Sequence, residues 1–297
     1  MGIRHPLISE IAKDTYLFNE FGLCNHYLLV GTERALLIDC GMGYYDLRAT
    51  VERMTDKPYD VVITHGHPDH AGMMHQFERV YMNEKDLPLL PWAARTDFDL
   101  NEFHWNNRLH VGDWSVWEVT EDMINRGNLD TQVLPLNEGD VFDLGGRRVT
   151  AHALPGHSAG HIGVVTPDGV AYLGDCLIDE EQIAAAKLPT SMFIARDLES
   201  KESLRNLRRP AYIIAHKQVL TDIGPLIDRN IAFIHDKGRE LLEDLEDGMS
   251  FDQWIYAFCQ RENVRTRNEF KFSIVERNFA NFVDWLTDEG KVEVRRE

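Results

Sequence analysis

Short apolar runs separated by Gly-, Asn- or Asp-containing turns dominate the first 220 residues, and this pattern is typical of buried β-strands. The runs predict strands at 15–18, 26–30, 35–39, 59–63, 80–82, 133–136, 140–144, 148–154, 162–166, 170–173 and 211–215. Helices are expected between some of them, at 44–54 and 73–77. Strands and helices therefore mix along the chain, which indicates an α+β fold.

From Ile223 the apolar residues recur at helical spacing instead. This spacing predicts helices at 231–245, 251–259 and 272–286, followed by a turn at Gly290 and a short strand at its end. The change in pattern predicts a first domain over 1–222 and a helical C-terminal region over 223–297.

Composition limits the classes of partner. The chain has 297 residues and a formal net charge of −18, which argues against general affinity for nucleic acid or an anionic membrane. It shows no apolar signal-peptide core and no run long enough to cross a bilayer, so we expect a cytoplasmic protein with a small-molecule substrate. Homo-oligomerisation is left open. The four scattered cysteines, without a Cys-x-x-Cys pair, are expected to be buried free thiols.

Four potential metal ligands occur within six residues directly after the apolar run 59–63. They are His65, His67, Asp69 and His70, on a turn that contains Pro68. A loop can direct the first two side chains to one ion and the last two to another. Imidazole nitrogens and carboxylate oxygens suit zinc, iron or manganese. A surface histidine cluster is the alternative interpretation, which the preceding buried strand disfavours.

This His-x-His-x-Asp-His segment resembles the metal motif of the metallo-β-lactamase superfamily. The resemblance continues in order along the chain, with His157 in a Gly-His-Ser-Ala-Gly-His loop, Asp175 after an apolar hairpin and His216 after the run 211–215. His216 departs from the family pattern, because Ala215 replaces the usual glycine before it. Asp39 matches a family aspartate that holds a ligand histidine by a hydrogen bond. A helix N-cap is the alternative for Asp39.

The resemblance implies an αββα sandwich with metals at one edge of two facing sheets. It assigns His65, His67 and His157 to a first divalent ion, Asp69, His70 and His216 to a second, and Asp175 to a bridge between them. Zinc is expected, with iron or manganese as alternatives. Asp39 and His161 would support the ligands.

Two segments fall outside the family pattern. Residues 86–131 are rich in aromatic side chains and form an insert. It is expected to pack on the core as a helical pair or to form a subunit contact, and it can also serve as a lid or wall over the metals. Its candidate wall residues are Trp92, Phe103, Trp105 and Trp114. The C-terminal helices resemble a small winged-helix-like tail, but the acidic run 240–247 favours a packing or dimer-forming role over DNA binding.

The implied chemistry is metal-dependent hydrolysis, with a hydroxide held between two ions as the nucleophile and Asp69 and Asp175 as catalytic residues. The general resemblance is to hydroxyacylglutathione hydrolases (glyoxalase II-like enzymes) and lactonases, which implies an ester, thioester or lactone substrate. A mononuclear iron enzyme that oxidises persulfides and a phosphodiesterase are the alternatives. A silent binding module is a third class, which the full ligand set disfavours.

Overall fold

The structure is a computed structural model that describes residues 3–93, 117–125, 127, 130–166, 169–214, 216, 218–264 and 269–295. Two compact units divide the chain. The first contains residues 1–154, 160–175 and 208–222, and the second contains 155–159, 176–207 and 223–297. The predicted division into 1–222 and 223–297 stays a prediction.

The first unit contains two mixed β-sheets. Seven strands form one sheet in chain order: β1 (Leu7–Ala12), β2 (Thr15–Glu20), β3 (Cys24–Val30), β4 (Ala35–Ile38), β5 (Tyr59–Val62), β6 (Arg79–Met82) and β7 (Gln132–Pro135). Strands β1 to β4 are antiparallel neighbours, whereas β4 to β7 run parallel. The carboxyl ends of β4 and β5 consequently lie at the same edge of the sheet.

The second sheet has the order β13-β12-β11-β10-β9-β8. Its strands are β8 (Val141–Asp143), β9 (Arg148–Ala153), β10 (Ile162–Val165), β11 (Val170–Tyr172), β12 (Ala211–Ile214) and β13 (Gln218–Leu220). Only the pair β11 and β12 is parallel among the described strands of this sheet. These two strands therefore also deliver their following residues to a common edge.

Side-chain alternation along the strands builds the core between the sheets. Leu36 and Ile38 of β4 point toward Val149 and Ile162 of the second sheet in one buried cluster. Leu37, between them, points to the opposite face and packs in a different cluster. Strand β4 is apolar on both faces because both faces are covered, as its continuous apolar run predicted.

Short helices cover the outer face of the first sheet or follow its strands. They are α1 (Leu47–Met54), α2 (Pro68–Ala71) and α3 (Leu90–Ala93), with 3₁₀ turns at Met74–Gln76, Glu84–Leu89 and Glu121–Met123. Helix α1 begins three residues later than predicted, because Asp46 is its N-cap and accepts the backbone N–H of Ala49. The helix predicted at 73–77 is wrong, since only a single 3₁₀ turn forms there.

The second unit is helical over its described residues. It contains α4 (Glu180–Ala185), α5 (Ile194–Ser203), α6 (Gly224–Glu243), α7 (Phe251–Arg261) and α8 (Glu269–Asp288), with a 3₁₀ turn at Leu204–Asn206. Helices α6, α7 and α8 correspond to the three predicted by apolar spacing, but α6 begins at Gly224, seven residues earlier than predicted. The strand predicted after Gly290 is not found, since residues 291–295 have no regular structure. The winged-helix resemblance is not confirmed.

The core of the second unit is aromatic. Phe279 of α8 contacts Trp254 and Phe258 of α7, with ring centroids 5.2 Å and 5.5 Å apart. The Trp254 indole N–H donates to the carbonyl of Leu241 in α6, so its polar edge is satisfied in the interior. Ser250 and Gln253 form a capping box that fixes where α7 begins.

Three of the four cysteines lie in the interior. Cys24, Cys40 and Cys176 are buried free thiols as predicted, but Cys259 is only partly buried. Among the helices that the structure describes, none is long and apolar enough to cross a membrane.

We predict that Leu36→Ala lowers the free energy of unfolding by about 2–5 kcal/mol, because it leaves a cavity between the two sheets. Leu36 is 0% exposed, whereas Leu7 on the edge strand is 44% exposed. Leu7→Ala is therefore the matched control, with an expected change within about 0.5 kcal/mol. Urea unfolding followed by circular dichroism measures both values. Equal losses in the two variants would contradict the assignment of this core.

Candidate metal centre

Several of the predicted ligands and supporting residues come shortly after the ends of strands in the first unit. Asp39 follows β4, His65 follows β5 after two residues, and Asp175 and His216 follow β11 and β12. Strands hold these positions rigidly, while the loops that follow them are free to direct side chains inward.

Four of the predicted ligands come together in the first unit. The nitrogen and oxygen atoms that Asp69, His70, Asp175 and His216 can offer to a metal lie within 4.8 Å of one another. His70 Nε2 lies 3.3 Å from Asp175 Oδ1 and 3.5 Å from Asp69 Oδ2. His216 Nε2 lies 3.4 Å from an oxygen of each carboxylate. Helix α2 and the residues after β11 and β12 therefore bring these four side chains face to face.

The spacing of these atoms fits a metal ion. Ligands bound at about 2.0 Å in a tetrahedron lie roughly 3.3 Å from one another. The four distances measured between imidazole nitrogens and carboxylate oxygens, from 3.3 to 3.5 Å, match that value. Two imidazoles and two carboxylates are also the donor chemistry that zinc, iron and manganese accept.

Hydrogen bonds on the far side of each ring fix which nitrogen faces the cluster. His70 Nδ1 lies 2.7 Å from Asp39 Oδ2, and His216 Nδ1 lies 2.9 Å from the carbonyl oxygen of Leu23. Both partners only accept, so Nδ1–H donates in each case. The Nε2 atoms are therefore the nitrogens that can carry a lone pair toward a metal.

Charge coupling dominates the protonation of this cluster when no metal is bound. Burial opposes charging of His216, but Asp175 and Asp69 beside it raise its pKa to about 9. Burial likewise opposes charging of His70, yet the same carboxylates and Asp39 raise its pKa well above the ordinary value. In return the pKa values of Asp69 and Asp175 are lowered despite their burial. The side chains therefore form a compact cluster of opposite charges.

His65 and His67 face each other beside this cluster. His65 Nε2 lies 3.0 Å from His67 Nδ1 and 4.0 Å from Asp175 Oδ2. Trp92 packs edge-on against the His67 ring, with centroids 5.0 Å apart. This indole therefore contacts a predicted ligand.

His161 and His157 have partners that fit different roles. The backbone N–H of Asp175 donates to His161 Nε2 at 3.0 Å, which occupies a nitrogen that a metal would need. His157 belongs to the second unit, where its Nδ1 donates to the carbonyl oxygen of Thr190 at 2.7 Å. This bond makes Nε2 the nitrogen with which His157 would bind a metal.

The Asp39 carboxylate is fully buried and organises the ligand loop. It accepts the backbone N–H of Thr64 at 2.7 Å, the Thr64 hydroxyl at 2.9 Å, the Tyr172 hydroxyl at 2.7 Å and His70 Nδ1–H. Its backbone has φ of +65°, an unusual conformation for a residue other than glycine. The N-cap alternative for Asp39 is wrong, because Asp46 caps α1.

Three supporting residues were missed by the sequence analysis. Tyr172 ends β11, Asp86 lies in a 3₁₀ turn, and Glu20 ends β2. The buried Glu20 carboxylate accepts the consecutive backbone N–H groups of Met42, Gly43 and Tyr44. None has a local sequence signal, since these partners lie at least 20 residues away in the chain.

Glu20 also belongs to a second buried group with Cys24 and His26 whose atoms could hold a metal. Its hydrogen bonds argue against that use. The Cys24 thiol donates to Glu20 Oε2, which also accepts the Met42 N–H, and His26 Nε2 bonds to the Tyr45 hydroxyl. Burial raises the Cys24 pKa well above its usual range, so this thiol stays neutral. The group serves to hold the loop after Asp39.

The insert is only partly described. Of its candidate wall residues, Trp92 is described, whereas Phe103, Trp105 and Trp114 lie outside the described residues. His75, which lies before the insert, has its Nε2 3.2 Å from the side-chain oxygen of Asn125 within it. The substrate-wall role of the insert stays a prediction.

The chain is similar in sequence to known proteins. The bovine acyl-coenzyme A thioesterase MBLAC2 is 27% identical over 168 residues, which cover 52% of this chain and 58% of that protein. The chicken protein of the same name is 28% identical over 194 residues, which cover 60% of this chain and 66% of that protein. These matches span only about three fifths of the relatives' length.

Solved structures agree in fold. A metallo-β-lactamase family protein from Thermus thermophilus superposes with a TM-score of 0.64 at 19% identity, covering 96% of each chain. A β-lactamase domain protein from Burkholderia ambifaria gives 0.65 at 18% identity, covering 98% of this chain and 91% of that one. The predicted fold class, an α+β metallo-β-lactamase fold with additional C-terminal helices, is confirmed.

The family sequence model of the metallo-beta-lactamase superfamily matches residues 19–216, about two thirds of the chain. The match spans every predicted ligand from His65 to His216, and members of this superfamily bind divalent metals. The chain belongs to the metallo-β-lactamase superfamily.

Proposed function

We propose that this protein is a metal-dependent hydrolase that cleaves a thioester with two divalent ions. The observation that carries the proposal is the convergence of Asp69, His70, Asp175 and His216 at distances that suit a shared ion. Burying several ionisable side chains together carries a desolvation penalty, so such a cluster is typical of a functional site. A bound cation would offset this penalty.

The proposed ligand sets follow the family motifs. His65, His67 and His157 would hold the first ion, Asp69, His70 and His216 would hold the second, and Asp175 would contribute to both sets. When bound, two divalent ions would supply a hydroxide nucleophile near neutral pH and polarise the attacked carbonyl oxygen. Zinc fits the donor set, as do iron and manganese.

The protein's own residues position the reactants. Asp175 is more deeply buried, with 9% of its side chain exposed, whereas 25% of Asp69 is exposed. Asp69 therefore reaches the solvent side of the cluster, where a carboxylate oxygen can accept a hydrogen bond from the attacking water. We assign Asp69 to orienting that water and Asp175 to holding the ligand sets together.

The thioester is chosen over an ester or lactone because curated relatives with acyl-coenzyme A thioesterase activity in their names match this chain at 27–28% identity. The proposed hydroxide nucleophile would attack the carbonyl carbon of the thioester. The C–S bond would then break, and the thiolate would leave. The chain's substrate is a small molecule in this proposal.

The test is hydrolysis by the purified chain, loaded with zinc, iron or manganese in turn. Acyl-coenzyme A thioesters of several chain lengths are compared with S-acyl-glutathione, a lactone, a phosphodiester and a persulfide with dissolved oxygen. We expect thiol release from a thioester that stops on chelation and returns when metal is restored. Oxygen uptake with persulfide by a chain holding one iron would contradict the proposal.

We predict that Asp175→Asn lowers kcat/KM for the hydrolysed substrate by about 10²-fold or more, because a neutral amide is a poor bridge between two cations. Thiol release at several substrate concentrations measures the change. Asp179→Asn is the control, since Asp179 is also buried but caps helix α4. Full activity in Asp175→Asn would rule out its bridging role.

We also predict that Asp39→Asn weakens metal affinity by about 10–100-fold, as is usual when the partner of a ligand histidine is changed. An amide presents a donor where the carboxylate accepts from His70, Thr64 and Tyr172. Competition with a chromogenic chelator measures the affinity. Asp46→Asn, at the cap of α1, should leave it unchanged because asparagine caps helices as well as aspartate does.

A further inference from the structure

The 3₁₀ turn Glu84–Leu89 packs against two loop segments of the first unit. These are the loop 64–72, which carries His65 and His67 of the proposed first metal site, and the loop residues 160–161, which precede β10. We infer that Asp86 in this turn is a positioning residue that holds these two loops at a fixed spacing and thereby sets the affinity of the first site. The inference rests on the proposed function for its metal.

The first observation is the hydrogen bonding of the Asp86 carboxylate. Asp86 is 0% exposed. Its Oδ2 accepts the backbone N–H of Gly66 at 3.1 Å, and its Oδ1 accepts the backbone N–H of Gly160 at 2.6 Å. One buried anion therefore bonds to the residue between His65 and His67 and to a residue of the other loop. Such charge-assisted bonds are shorter and stronger than neutral ones.

The second observation is steric and independent of the first. A Cβ on Gly66 would lie 2.8 Å from the Asp86 carbonyl oxygen and from Leu89 Cβ. A Cβ on Gly160 would lie 2.9 Å from Asn83 Cβ and 3.0 Å from Asp86 Oδ1. Both loops thus approach the same turn more closely than any side chain would permit, and each does so at a glycine.

The turn is itself anchored, so it can act as a fixed point. Asn83, directly before it, donates its side-chain amide to the Leu136 carbonyl at 2.8 Å. After the turn, α3 carries Trp92, which packs edge-on against His67. The segment 83–92 therefore contacts the first-site loop at two places, the backbone of Gly66 and the ring of His67.

The carboxylate is needed for this arrangement because the Gly66 and Gly160 groups that it binds are both N–H donors. An asparagine at position 86 would keep one acceptor but present an N–H group to the other backbone N–H. One contact would then be replaced by repulsion in a buried place. The loop that loses its bond would be free to move relative to the other, while Asp69, His70, Asp175 and His216 would keep their own contacts.

The experiment is a zinc titration of the full-length chain and of Asp86→Asn, in competition with a chromogenic chelator. The parent should bind two ions. In the variant we expect one binding step to weaken about 10–100-fold while the other changes by less than about threefold. Circular dichroism and thermal unfolding of the metal-free proteins show whether the variant is folded at the temperature used.

Cobalt identifies which site has changed. The ring N–H protons of cobalt-bound histidines give strongly shifted proton NMR signals, and His67→Ala identifies those of the first site. Asp86→Asn should shift or remove these signals and leave the signals of His70 and His216 in place. Asp179→Asn, a buried aspartate at a helix cap in the other unit, is the matched control and should affect neither set.

A second variant tests the same contact from the other loop. Gly160→Ala should weaken the same step, because its Cβ would push the loop from Asn83 and Asp86. If both variants act through one contact, the double variant should lose less zinc-binding free energy at this step than the sum of the losses in the two single variants.

The outcomes separate this inference from the proposed function. Unchanged zinc binding by folded Asp86→Asn, or equal weakening of both steps, would overturn the positioning role alone. A parent that binds two ions but hydrolyses no thioester would overturn the proposed function and leave the role of Asp86 standing. A parent that binds no metal would overturn both.

Discussion

The structure depends most on one buried carboxylate, Asp39, at the edge where the two sheets of the first unit meet. It accepts hydrogen bonds from Thr64 after β5, from Tyr172 in β11 of the second sheet and from His70 on α2. A buried charge is tolerated only when its oxygens are fully hydrogen-bonded, so these partners cannot move independently. The unusual backbone of Asp39 is kept because these contacts over-determine it.

The same principle recurs around the centre. Glu20 holds the loop after Asp39 through three backbone N–H groups, and Asp86 holds two loops through one each. In each case a buried anion replaces regular secondary structure as the partner of loop backbone. The ligand loops therefore have fixed shapes although they lie outside strands and long helices, which is what a preorganised site requires.

The sequence predicted strands β2 to β12 and the ligand motifs because both are local patterns. It did not predict the edge strands β1 and β13. A continuous apolar run such as that of β4 indicates by itself that the strand is buried. His65 to His70 likewise form a motif within six residues. The roles of Asp86, Glu20 and Tyr172 could not be predicted, because the loop N–H groups and the Asp39 carboxylate that they bind lie at least 20 residues away. The start of α1 was misplaced for a related reason, since Glu20 takes the N–H groups of Met42 to Tyr44.

We propose that side chains from separate strand ends hold two metal ions. Counting the metal ions per chain by inductively coupled plasma mass spectrometry, in the parent and in His216→Ala, distinguishes this arrangement from a single-ion centre. His216 belongs to the second ligand set only, so the parent should hold two divalent ions and the variant one. A parent with a single ion, or a variant that retains the parent's full metal content, would rule out the two-ion centre.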